Sequence, residues 1–166
     1  MKKMNTLSVL LRRLTGRGQL TADNSVVTDF DLNRFLGDWY ETARFDHRFE
    51  RGMQHTRASY TLRPDGNVSV LNTGVKDGKE KEAHGIAKIT DTPGLLRVSF
   101  WRPFYSDYRV MLIDVHYQYA LIGSGSDDYL WILSRTPQLS DETKDLILAE
   151  ARRRGYDPTR LLWIAQ

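Results

Sequence analysis

The chain has 166 residues, 27% of them charged and 40% hydrophobic, and no cysteine. That balance fits one globular domain, excludes disulfides, thiolate metal sites and cysteine nucleophiles, and leaves no cysteine for a lipid anchor. No apolar run approaches the ~18–20 residues of a membrane-spanning helix. The net charge of +3 is uneven. Lys2, Lys3, Arg12, Arg13 and Arg17 lie in residues 1–19 with no acid among them, so the remaining chain stands at −2. The basic character belongs to the N-terminal segment, which argues against a nucleic-acid groove on the domain.

Residues 1–28 read as a basic tail ahead of a domain over 29–166. Leu7, Val9, Leu10, Leu11 and Leu14 lie between basic residues and suit a short amphipathic helix. A secretory leader needs an apolar core of ~7–15 residues and a small-residue cleavage site, and here Arg12-Arg13 interrupts a shorter run. Three readings stay open: a flexible tail, a membrane-surface contact through residues 1–20, and a degenerate export signal. Residues 31–35 then form one helical turn before Gly37.

From Gly37 the pattern is that of short strands. Trp39, Glu41, Ala43 and Phe45 share one face of the first, because strand side chains alternate with period two. A polar loop over residues 46–52 follows. Residues 55–62 alternate with Ala58, Tyr60 and Leu62 opposite Arg57. Pro64-Asp65-Gly66 is a turn in which proline presets φ and glycine supplies φ > 0. Residues 67–75 and 81–89 are strands joined at 76–79, the second with Ala83, Gly85, Ala87 and Ile89 on one side. After Thr92-Pro93-Gly94, residues 95–101 set Leu96, Val98 and Phe100 opposite Arg97. Residues 102–107 read as an aromatic loop. Residues 108–114, 119–124 and 129–135 complete eight strands.

One helix is clear. Ser140 caps it, Asp141 and Glu142 complement its dipole, and Arg152-Arg153-Arg154 with Gly155 close it. A last apolar run covers residues 161–165. Eight antiparallel strands with one C-terminal α-helix packed outside predict an all-β, up-and-down barrel, which leaves no open edge and has room for one small ligand.

A closed barrel sets its last strand beside its first, so Arg135 falls over the indole of Trp39, a cation–π pair. Gly37-Asp38-Trp39, Asp114 with Tyr117, and Arg135 followed by a helix resemble the three-region signature of the lipocalins. Trp39-Tyr40-Glu41, residues 49–52, Pro103-Phe104-Tyr105 and residues 129–137 are similar to the bacterial lipocalins related to apolipoprotein D. The resemblance covers residues 32–166. It implies a barrel, or calycin fold, open at one end, that binds or transports a fatty acid or lysophospholipid and helps maintain the outer membrane. It places Gly37, Trp39, Asp114, Tyr117 and Arg135 at the closed end as structure. Bacterial relatives carry a lipid-modified cysteine, and this sequence has none. The resemblance therefore implies the cell envelope, with the cytoplasm as the alternative.

Inward parity nominates Glu41, Ala43, Phe45, Ala58, Tyr60, Ala83, Gly85, Ala87, Val98, Phe100, Tyr108, Val110 and Trp131 as ligand contacts. Arg48, Arg51 and Tyr105 are rim candidates for a headgroup. A buried Glu41 has a raised pKa unless a cation or donors are near, and Arg57 or Tyr108 are its candidate neighbours. No catalytic residue is nominated: His47, His55, His84 and His116 are scattered, and no Ser-His-Asp order, phosphate loop or metal spacing emerges. The reading is a non-catalytic lipid binder without cofactor or metal, monomeric or dimeric. A pigment, tetrapyrrole or retinoid-like ligand is the alternative, and a lipid-modifying enzyme the second.

Overall fold

A computed structural model describes residues 20–166. The expected membrane contact and helix of the basic segment fall on residues 1–19, outside the described part. Chain entry is set by Asp31, whose carboxylate accepts the amide of Asn33 and caps the single turn α1 (Leu32–Phe35). Gly37 then adopts φ 94, where a side chain would be strained, and turns the chain into β1 (Gly37–Phe45).

The succeeding strands are β2 (Gln54–Leu62), β3 (Val68–Lys76), β4 (Lys79–Ile89), β5 (Leu95–Trp101), β6 (Phe104–Ile113), β7 (Tyr119–Gly123) and β8 (Leu130–Ser134). Neighbours in sequence pair antiparallel, and β1 pairs with both β2 and β8, which closes the barrel. The predicted loop over 102–107 is shorter than expected: Trp101 already pairs with Phe104, so residues 104–107 belong to β6.

β1 is shared along its length. Its lower half pairs with β2, Gly37 opposite Tyr60. Its upper half parts from β2 and instead pairs with a short final strand, β9 (Leu161–Trp163), Phe45 opposite Leu161. The end of the chain fills the gap. Ile164 donates to the carbonyl of Thr42, His55 donates to that of Ala165, and the Gln166 amide donates to the carbonyls of Glu41 and Thr56. Backbone groups that the divergence would leave bare are thereby satisfied.

Two cores result. One fills the barrel, from Phe35 and Trp39 through Tyr60, Val70, Leu96 and Val110 to Ile122 and Leu133. The other lies outside, where α2 (Asp141–Arg153) sets Ile147 and Ala151 against Met111, Leu121, Leu130 and Ile132. Ser140 caps α2 by accepting from Thr143, and Gly155 at φ 94 follows its end.

The expected tail ends earlier than residue 28. Residues 20–28 run along the barrel: Thr21 donates to Asp127, Asp23 to the carbonyl of Arg154, and Val27 to that of Val110. Arg154 anchors this segment from beneath, donating to the carbonyls of Asp23, Ser25 and Met111.

Candidate functional site

Topology gives the barrel two unlike ends. At one, the guanidinium of Arg135 lies 3.7 Å from the centre of the Trp39 ring. It donates to the carbonyls of Arg34, Leu36, Asp38 and Tyr117, so one side chain satisfies the carbonyls at the end of α1. Trp39 donates its indole N–H to Phe35. Tyr117 sits at φ 56 in the turn whose first carbonyl is that of Asp114, its hydroxyl accepts the Asp31 amide, and Arg34 stacks on its ring. This end is shut by packing.

At the other end lie the links 46–53, 77–78, 102–103 and 124–129. The interior just below them is polar, and its central residue is Arg44. Strict alternation puts Arg44 outside and Ala43 and Phe45 inside. A β-bulge between Glu41 and Ala43 reverses that. Beyond it, Ala43 and Phe45 belong to the outer core under α2, and Arg44 lies in the barrel opposite Trp131. Ala43 and Phe45, nominated as ligand contacts, therefore lie in the core outside the barrel and not in its interior. A bulge inserts one residue and switches the parity of everything after it, and an apolar pair suits either face where both are covered.

Arg44 is 1% exposed. Its Nη1 donates to Glu41 at 2.8 Å, and its Nη2 donates to the carbonyls of Glu50 at 2.6 Å and Met53 at 3.0 Å. The loop 46–53 is thus tied over the mouth from below. Glu50 comes in under it, accepting from the Trp131 indole at 3.1 Å, with His47 Nε2 2.6 Å away. Met53 reaches into space left by Gly74, where any Cβ would stand 2.6 Å from its methyl group. Arg57, a candidate partner of Glu41, instead stacks on Tyr40.

The two carboxyls differ. Burial first, then the charge of Glu50, pushes the Glu41 pKa up to about 8 against the pull of Arg44. Burial works the same way on Glu50, but the His47 and Trp131 donors and the Arg44 charge outweigh it and hold Glu50 below its ordinary value. The two carboxyls are thus pushed apart, Glu41 toward the protonated form and Glu50 toward the ionised form, on either side of the Arg44 cation. Deeper in, the hydroxyls of Tyr60 and Tyr108 lie 2.7 Å apart, and burial pushes both phenols well up.

Several polar atoms of this half have no partner among the described residues: Arg44 Nε, Thr56 Oγ1 and Asn72 Oδ1. Such buried atoms are what the polar end of a ligand, or water, would meet. Sequence reasoning did not nominate Arg44, Glu50, Thr56 or Asn72. Asn72 shares the inward parity of Val70, which was the available signal; Arg44 had none. Ala83, Gly85, Val98, Phe100 and Trp131 keep some exposure on the inward parity, with the Phe100 ring lying on Gly85. Ala58, Ala87 and Val110 are buried lower in the barrel.

Arg48, Arg51 and Tyr105 sit apart from the buried cluster: Arg51 pairs with Asp46, and Lys88 lies over Tyr105. His84 is exposed beside Glu82. Among the described residues no three His, Asp or Glu side chains stand close enough to share a metal ion. A separate shallow concavity of about 570 Å³ lies on the outer face of β2–β5, around Ser59, Thr61, Ser69 and Ser99.

This architecture has clear relatives. Residues 30–166 match the lipocalin-like domain. The outer membrane lipoprotein Blc of Escherichia coli is 47% identical over 146 residues, covering 86% of this chain and 82% of that protein. Apolipoprotein D of Bos taurus is 35% identical, covering 71% and 67%. Insecticyanin of the tobacco hornworm shares the fold, with TM-score 0.73 at 21% identity over 90% of this chain and 87% of that one. The chain belongs to the lipocalin family, in its bacterial, apolipoprotein D-like branch.

Proposed function

We propose that this lipocalin binds and carries a lipid, a fatty acid or lysophospholipid, inside the barrel without turning it over, in the upkeep of a membrane. The family is one of binding proteins for small hydrophobic molecules and is in general non-catalytic. The observation that carries the finer reading is the buried Arg44 with partnerless polar atoms around it, set above an apolar barrel interior. That sequence of surroundings suits an amphiphile with one polar end. Burying ~10 methylenes at ~0.8 kcal/mol each supplies ~8 kcal/mol before ordering costs are deducted. The names of the Blc and apolipoprotein D relatives support the same class, and the first of them supports the cell envelope as the compartment.

Mass spectrometry of an organic extract from natively purified protein tests this reading. Fatty acid or lysophospholipid at near one equivalent is the expected result. A coloured ligand, or failure to take up any acyl probe, overturns it, as does turnover of the extracted lipid. Fusion of residues 1–30 to a reporter active only after export tests the compartment; an inactive, cytoplasmic reporter counts against the envelope.

A further inference from the structure

The open end of the barrel carries large apolar side chains that nothing among the described residues covers. On the β5–β6 hairpin, Trp101 is 81% and Phe104 75% exposed; on the loop above Arg44, Phe49 is 69% exposed. Trp101 and Phe104 are cross-strand partners at the very tip of their hairpin. Their exposure does not come from disordered chain, because both lie in strands. Buried aromatics are abundant here, so leaving these in water has a cost that a covering partner would remove.

Two cations beside these tips have no carboxylate partner. Arg48 lies over the Phe49 ring and Arg102 follows Trp101, both exposed and neither paired with a carboxylate among the described residues. Most acids of the same end are already engaged, and Asp128, exposed on the 124–129 link, accepts only from the Ser126 hydroxyl. Asp46 holds Arg51, Asp107 holds Arg97 and Arg109, and Asp127 holds the amides of Thr21 and Ala22. The β3–β4 hairpin sets Lys76, Lys79 and Lys81 against Asp77, Glu80 and Glu82, so it adds no net charge. The domain as a whole is slightly acidic, which makes unpaired arginines beside exposed aromatics a local feature.

We propose that this end of the barrel docks on an anionic lipid surface, with Trp101, Phe104 and Phe49 inserting at the headgroup level and Arg48 and Arg102 meeting lipid phosphates. Two separate tips, each ending in exposed aromatic rings beside an arginine, suit a soft planar partner. Tryptophan and phenylalanine with neighbouring arginine is the composition that settles at a membrane interface. The orientation brings the mouth and the tethered 46–53 loop against the bilayer. The surface stands independently of what the barrel holds.

Co-sedimentation of the full chain with phosphatidylcholine vesicles, with and without phosphatidylglycerol, tests this. Binding should need the anionic lipid, and Trp101→Ser with Phe104→Ser should weaken it by about tenfold or more, as should Arg102→Glu. An unchanged thermal midpoint and unchanged uptake of a fluorescent fatty acid would show that these variants fold and keep the barrel site. Quenching of tryptophan emission by brominated lipid, lost in Trp101→Phe, would place the tip in the bilayer. Wild-type protein that ignores anionic vesicles overturns the proposal. So does a folded Trp101→Ser/Phe104→Ser protein that sediments like wild type, since the contact would then belong to the basic residues 1–19. Capture of a protein partner with no vesicle binding overturns it as well.

Discussion

Glu41 and Arg44 show how little a side chain's type says about its place. Both are charged residues on one strand, three positions apart, and both are buried in the same polar layer. Glu41 is a carboxyl whose proton is held by burial, with a folded pKa near 8 against 4.5 in the unfolded chain. The sign follows from linkage. The folded state holds the proton more tightly, so this group favours folding at low pH, and that contribution is lost as pH rises from about 4.5 through 8. Glu41→Gln keeps the hydrogen-bonding shape without the titration. Relative to wild type it should gain stability as pH rises across that window, by on the order of 1–3 kcal/mol at pH 9. Urea unfolding of the pair at pH 5, 7 and 9 checks it, and a constant difference across the series would count against the assignment. Glu50 works the other way: its lowered pKa favours folding above its unfolded value, a contribution lost on acidification.

At the scale of the element, β1 carries the informative error. Alternation reads Trp39, Glu41, Ala43 and Phe45 as one inward row, and the bulge divides them. The cause lies outside the strand. β1 must pair with β2 and β8 at its lower end and with β9 and β8 at its upper end, and the extra residue lets it bend between these partners. Thr42 is held there by its hydroxyl donating to the carbonyl of Ile132. The consequence is testable at Ala43. Ala43→Leu should overpack the layer against α2 and cost about 1–3 kcal/mol, while leaving fatty-acid affinity within about twofold. Were Ala43 a wall of the ligand site, the same change would alter affinity as strongly as stability. Thermal unfolding alongside titration with a fluorescent fatty acid separates these outcomes.

At the scale of the whole molecule, closure depends on segments far apart in sequence. The chain end fits between β1 and β2, and residues 20–28 are strapped across β6 and α2. Arg154 is the fastening for that strap, with its side chain 8% exposed and its guanidinium shared among Asp23, Ser25, Met111 and Glu150. Arg154→Met would keep bulk but leave carbonyls of Ser25 and Met111 without that donor. It should cost about 2–4 kcal/mol, and amide exchange should speed up first in residues 22–28. Uniform acceleration across the barrel would show that the strap has no separate stability.

The sequence by itself determined the eight barrel strands apart from the start of β6, their up-and-down order, the single long helix with its caps, and the family. Those rest on local rules: period-two alternation, glycine and proline at turns, and a capped amphipathic run. Trp39 with Arg135 was legible for a related reason, since closure makes the first and last barrel strands neighbours. Only the tertiary structure decided which way Ala43, Arg44 and Phe45 point, where Glu41 finds its partner, and that residues 20–28 belong to the domain. A bulge has no signature of its own in a strand covered on both faces, and a buried arginine between two carboxyls is a balance of burial and pairing that no local pattern encodes.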